Sequence, residues 1–192
     1  MKSEKFNNEL EYIKDYNIKE SCKIMLELLP DYFYEIPASS TGKYHPEYTL
    51  GDRGLVRHTK MVTRIGYELL NNPCIGSKYT QEEQDLMIMG MILHDGLKSG
   101  IQKNKYTQVD HPILIANYIK DNKDKLKLTD NQITFIMDAI KTHMGPWNTD
   151  FKGNVVLEVP KTKYQNFVHM CDYLASRKFL LTKFDEFDNI VE

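Results

Sequence analysis

Six side chains in this sequence are of the types and at the positions to do metal chemistry together: His58, the dyad His94-Asp95, His111, His143 and Asp172. They are spread over five helical segments, each at an inner face or an end. Ligands of dinuclear sites built between facing helices of a bundle are placed in this way. Mixed nitrogen and oxygen donors suit Mn, Fe, Co, Ni or Zn and argue against calcium, while the lack of thiolate donors argues against a structural zinc. Taken singly, each histidine has a plainer use as a hydrogen-bonded core residue or a helix-end cation. Their joint placement is what points to ligation.

The elements that must position these residues read as all-α, because apolar residues recur at helical spacing and no alternating run is long enough to build a sheet. A first helix is predicted over about residues 4 to 29, with Phe6, Leu10, Ile13, Ile18, Cys22, Met25 and Leu29 on its stripe and Pro30 as its stop. Residues 30 to 54 form a long irregular stretch, a length more often functional than idle. The next helix starts near Leu55, ends before Asn71-Asn72-Pro73, and puts His58, Val62, Ile65 and Leu69 on one face. Thr80-x-x-Glu83 is a capping box, and the LMIMGMIL that follows is apolar all round, so that helix should be central and end at His94-Asp95. After the loop 96 to 109, Pro112 opens a helix carrying Ile113, Ala116 and Ile119. Thr129-x-x-Gln132 caps another, whose stripe Ile133, Ile136, Ile140 runs into His143. A turn and a short extended segment near 154–159 follow. A last helix over about 161 to 179 places Val168, Asp172 and Ala175 on one side, and residues 182 to 192 read as a frayed acidic tail.

The length of 192 residues is about that of one domain, enough to bury a core without disulfides or a structural metal. With 41% apolar residues, 27% charged and a formal charge of −2, the composition is that of a soluble globular protein, and a stable complex with duplex nucleic acid is not expected. No stretch nears the ~20 apolar residues that span a bilayer, and MKSEKFNNEL lacks the apolar core of a signal peptide, so the expected location is the cytoplasm. Cys22, Cys74 and Cys171, odd in number and without a CxxC pair, read as reduced and mostly buried thiols.

The order H…HD…H…H…D, with ILHDGLK standing for a hydrophobic-HDxxK motif, resembles the HD-domain superfamily of metal-dependent phosphohydrolases over about residues 50 to 180. GLVRHT is similar to the family's first-ligand helix and MCDYLASRK to the helix that carries its last Asp. Gly96-Leu97 departs from the commoner Ile-Gly or Leu-Gly, and no accessory sensor, nucleic-acid or GYP-type segment is visible. THMGPW, with an Asp-containing helix after it, also resembles the HD domain of bacterial 3′-5′ exoribonucleases, here without their OB-fold half. The resemblance implies a single all-α HD-domain helical bundle, 1–192, with its core at about 50–180. It also implies two divalent ions (Mn, Fe, Co, Ni, Zn or Mg). His58, His94, Asp95 and Asp172 hold one, and Asp95 bridges to a second held by His111 and His143.

Beside the resemblance, elementary chemistry assigns the bridge. A carboxylate can offer one oxygen to each of two ions and an imidazole cannot, so Asp95 takes the shared position, with a metal-bridging hydroxide as nucleophile. Lys98, three residues on, is the candidate to meet a phosphoryl oxygen, and Arg53 and Arg177 are further candidates for the same contact. Trp147 and Asn148 offer a stacking face and an amide. Tyr44 with His45, and Tyr106 near Lys103 and Lys105, make a second rim, and His169 either packs or orients a ligand. The expected substrate is small and phosphorylated: a nucleotide, cyclic nucleotide or short oligonucleotide. A di-iron oxygenase on the same scaffold and a non-catalytic nucleotide-binding module stand as the alternatives, and a homo-oligomer is left open.

Overall fold

In the computed structural model, which describes residues 1–39, 42 and 45–191, the helices are α1 (Asn7–Leu10), α2 (Tyr16–Leu28), α3 (Gly54–Asn71), α4 (Pro73–Gly76), α5 (Gln81–Leu93), α6 (His111–Asp121), α7 (Asp130–Ile140) and α8 (Lys163–Ala175). A two-stranded antiparallel ribbon, β1 (Lys183–Phe184) and β2 (Ile190–Val191), closes the chain. The fold is all-α, as the periodicity requires. No helix among the described residues is long and apolar enough to cross a membrane.

Caps set the helix starts. Thr80, Thr129 and Thr162 each accept the backbone N–H three residues on, while Glu83, Gln132 and Gln165 reach back to the cap residue. The helix predicted over 4 to 29 is instead broken. Asp15 accepts from the N–H groups of Asn17 and Ile18 and so starts α2, and Asp85 accepts from the N–H groups of Lys14 and Asp15 to hold the break. Between the short α1 and α2 the chain therefore turns rather than running on.

Helix α5 is the centre of the molecule. Every residue from Asp85 to Leu93 is buried, and α2, α3, α7 and α8 pack around it. The inward stripe of α3 starts at His58 and Val62 as expected, then passes through Gly66 and Leu70, leaving Ile65 and Leu69 half-buried. Gly66 is where α3 meets α5: a Cβ there would stand 2.2 Å from Met91 Cε and 2.5 Å from its Sδ. Cys22 and Cys171 are buried free thiols, and Cys74 is exposed.

Lys183 and Phe184 pair with Val191 and Ile190, where the sequence suggested fraying. The Asp185 carboxylate accepts the backbone N–H groups of Phe187 and Asn189, and buried Asp188, at φ +62°, takes ion pairs from Arg53 and Arg57, each at 2.8 Å. Arg57 also donates to the carbonyls of Tyr48, Leu50 and Asp52, so one side chain ties the ribbon to the stretch before α3. Beside it lies a buried ion pair, Lys60 Nζ 3.8 Å from Glu9 Oε2, with Asn189 Oδ1 3.2 Å from the ammonium. Burial pushes the Glu9 carboxyl up against the pull of Lys60, and pushes the Lys60 ammonium down against the pull of Glu9.

Candidate metal centre

The six side chains named from the sequence meet at one place. His58 comes from α3, His94 and Asp95 from the turn that ends α5, His111 from the first residue of α6, His143 from the turn after α7, and Asp172 from α8. All are buried except Asp172, which is partly exposed. After α5 the chain continues in tight turns, with Gly96 N–H donating to Leu93 O, Lys98 N–H to Asp95 O and Gly100 N–H to Leu97 O. The Tyr32 hydroxyl clamps this buried segment by donating to Gly100 O.

Three of the imidazoles are tethered through Nδ1 to a carbonyl three residues earlier: His94 to Met91 O at 2.7 Å, His111 to Gln108 O at 2.7 Å, and His143 to Ile140 O at 2.8 Å. A carbonyl only accepts, so each Nδ1 carries the hydrogen and each Nε2 presents a lone pair inward; the tautomer is assigned from the partner. The oxygens of Asp95 divide between two groups. Its Oδ2 lies 3.7 Å from His58 Nε2 and 3.5 Å from His94 Nε2, and its Oδ1 lies 2.9 Å from His111 Nε2 and 3.6 Å from His143 Nε2. Asp172 Oδ1 stands 3.0 Å from His58 Nε2 and 3.8 Å from His94 Nε2.

This donor set fits divalent metal. Buried His94 Nε2 and Asp95 Oδ1 have no hydrogen bond of good geometry, and an orphaned buried polar atom costs about 1–3 kcal/mol. His111 Nε2 and His143 Nε2 face each other at 3.0 Å, and with both hydrogens on Nδ1 these are two lone pairs that repel unless a cation lies between them. His58, His94 and Asp95 form one triplet of donors within 4.8 Å of one another, Asp95, His111 and His143 a second, and His94, His143 and Asp172 a third that overlaps both. Burial alone would raise the Asp95 carboxyl; Lys98 and the surrounding imidazoles outweigh it and hold the group well below the carboxylate range. Burial would raise Asp172 too, but His58 and its neighbours hold it low, while burial drives His94 down to about 4.

Three of the clustered side chains, Asp95, His111 and Asp172, line a cavity of about 470 Å³. Lys98 is on its wall, only 9% exposed, with Nζ 2.5 Å from Asp95 Oδ2; it is not a solvated loop lysine. Trp147 and Arg177 line it too, with Tyr173 and Ser176 beside them. His45 also lines the cavity, its ring 5.7 Å from that of His58, and burial lowers it to about 4. Tyr44 lies outside the described residues.

Other candidates go elsewhere. Arg53 does not line the cavity; it is paired with Asp188 in the C-terminal ribbon. The Asn148 amide donates to Leu157 O and braces the turn after Trp147, and so does not face the cavity either. Tyr106 is 62% exposed, Lys103 pairs loosely with Glu35, and of the loop beyond Lys98 it is Thr107 that reaches the cavity wall. Tyr173 and Ser176 were not singled out from the sequence; Ser176, four residues after Asp172 at the end of α8, shares its face and could have been, whereas Tyr173, one residue on, is turned away from that face and gave no such signal. A larger groove of about 650 Å³ between α6 and α7 lacks such chemistry, since its Lys123 and Lys141 are paired with Asp130 and Asp138.

His169 holds the cluster from behind, its Nδ1 donating to His143 O at 2.7 Å. Gly145, at φ +59°, makes room for it: a Cβ there would stand 2.2 Å from His169 Cε1. Gly145→Ala should therefore strain the left-handed turn and displace His169 and the His143 carbonyl together. A loss of at least ~1 kcal/mol in thermal denaturation is expected, with lower metal content. Unchanged metal content would show that His143 does not depend on this brace.

The family model of the HD domain matches residues 55–177, which hold all six clustered side chains. Neither a curated protein nor a solved structure matches the chain.

Proposed function

The chain belongs to the HD domain family, a superfamily of metal-dependent phosphohydrolases, and from that premise we propose that it hydrolyses a phosphate ester of a nucleotide, cyclic nucleotide or short oligonucleotide. The observation that supports this most is the division of Asp95, one oxygen toward His58 and His94 and the other toward His111 and His143. In this reading His58, His94, Asp95 and Asp172 hold one divalent ion, and Asp95, His111 and His143 hold a second. Ions so held lower the pKa of a water toward neutrality and neutralise charge building on phosphoryl oxygens.

The chain's own groups supply the rest. The carbonyl tethers of His94, His111 and His143 fix three donors before anything binds, so little ordering is left to do on ion uptake. Lys98 is the group placed to meet the phosphate, because its ammonium is buried at the cavity wall and can exchange the Asp95 carboxylate for a phosphoryl oxygen. Trp147, half-exposed in the cavity lining, supplies an apolar face for the organic part. Lys98→Ala is expected to keep metal bound and to slow turnover by ~10²–10³-fold, read as kcat at saturating metal.

The experiment that tests the reading is metal analysis of protein purified without chelator, joined to a panel of phosphomonoesters and phosphodiesters assayed with Mn. Release of phosphate or cleavage of a diester, lost on chelation, supports it. No cleavage across the panel, with iron-dependent oxygen consumption on an inositol-like or hydroxyphosphonate substrate, would replace it with the oxygenase chemistry of the same scaffold.

A further inference from the structure

The chain has four arginines. Arg53 and Arg57 are paired with Asp188, and Arg64 with Glu68. Arg177, alone among them, has no carboxylate within ion-pairing distance among the described residues, and it is the one on the cavity wall. It is held in place all the same. Its Nη2 donates to Ser176 Oγ at 2.8 Å and its Nε to Tyr173 O at 3.2 Å, while the guanidinium lies 4.3 Å from the Tyr173 ring centroid and 5.9 Å from that of Trp147. Those two rings are themselves near parallel, 14° apart in plane.

These contacts decide what the wall offers. The guanidinium already covers Tyr173, so a ligand entering here meets a cation with a planar fork and its side chain pre-ordered by stacking. The other cation of the cavity, Lys98, is committed to Asp95. A lone charge held rigid in a concave site is matched by an oxyanion, which accepts its N–H donors in pairs. We infer that Arg177 forms a subsite for a second anionic group, so that the substrate is a phosphoester carrying a further phosphate or carboxylate. This rests on the phosphohydrolase reading for which group is cleaved, but the subsite stands on its own contacts. A cavity of about 470 Å³ has room for a molecule of mononucleotide size.

The test uses pairs of probes that differ by one anionic group: adenosine 3′,5′-bisphosphate against adenosine 5′-monophosphate, and 3-phosphoglycerate against glycerol 3-phosphate. Binding to the metal-free protein is measured by calorimetry, and KM and kcat on the manganese-loaded protein. A charge-assisted contact predicts about 10- to 100-fold tighter binding of the richer member of at least one pair. The pair that discriminates tells phosphate from carboxylate. Arg177→Gln should bring the ratio to about one, Arg177→Lys should keep part of it, and Ser176→Ala, which leaves the charge and removes its anchor, should lower it several-fold. The effect should fall on KM and binding rather than on kcat. Equal binding of both members in both pairs by the wild-type chain, or discrimination that survives in a folded Arg177→Gln protein, overturns the inference. Hydrolysis without discrimination would refute the subsite and leave the phosphohydrolase reading intact; discrimination without any hydrolysis would do the reverse.

Discussion

Asp95→Ala is expected to strip both ions from the cluster at once and to lower phosphoester hydrolysis by at least ~10³-fold. No other substitution should remove two ions. Asp95 alone belongs to both the triplet with His58 and His94 and the triplet with His111 and His143, with distances of 2.9 to 3.7 Å from its two oxygens to their Nε2 atoms. Asp172→Ala, by contrast, removes a carboxylate that stands against His58 and His94 and shares only His143 with the second triplet, so the ion at Asp95, His111 and His143 should survive it. Elemental analysis of the two variants side by side reads the difference. Asp95→Ala also leaves the Lys98 ammonium buried without its partner, which by itself costs stability. Asp95→Ala/Lys98→Met restores the charge balance and should melt closer to the wild type while still lacking metal. An Asp95→Ala protein that keeps both ions at full occupancy would end the bridging assignment.

The largest effect on stability is expected away from the site. Lys60→Met should destabilise the fold by about 3–5 kcal/mol, a fall in Tm on the order of 10 °C, because it strands the Glu9 carboxylate in the interior. That carboxylate is 2% exposed, and its Oε2 has no hydrogen bond. The pair itself contributes little, since 3.8 Å between Nζ and Oε2 is a loose contact for two desolvated charges. The double variant Glu9→Leu/Lys60→Met should therefore recover most of the loss. The sign of the pH dependence follows from Glu9. Its carboxyl is raised above the ordinary 4.5, so the folded chain favours the protonated acid, and stability from this group is lost as pH rises from 4.5 through the elevated value. The gap between the double variant and the wild type should thus widen in favour of the double variant over that range. A double variant as unstable as the single one would show that the pair holds the fold together.

What could be read from the sequence was local. His94-Asp95 at the end of an apolar helix, His58 on a stripe and His143 just past one are each placed by a few neighbouring residues, and the family pattern supplied their order. Periodicity missed the break at Asp15 because the apolar stripe runs through it, and only the competition of an Asp side chain for backbone N–H groups marks it. It missed Arg53 for another reason. The acid that takes its charge is Asp188, which also holds Arg57 across 131 residues of chain, and no window of sequence contains such a partner. The same holds for the C-terminal residues, which look solvated in isolation and are ordered by charges on α3. Lys98 was found because three residues from Asp95 is a distance that a tight turn closes, whatever the rest of the fold does.

The crossing at Gly66 reaches further than its size suggests. His58 lies two turns along α3 from that contact, about 12 Å, and His94 lies one turn past Met91 on the other helix. A methyl group added there would press on Met91 and so bear on the spacing of the two helices that carry His58 and His94, although Gly66 is itself no donor.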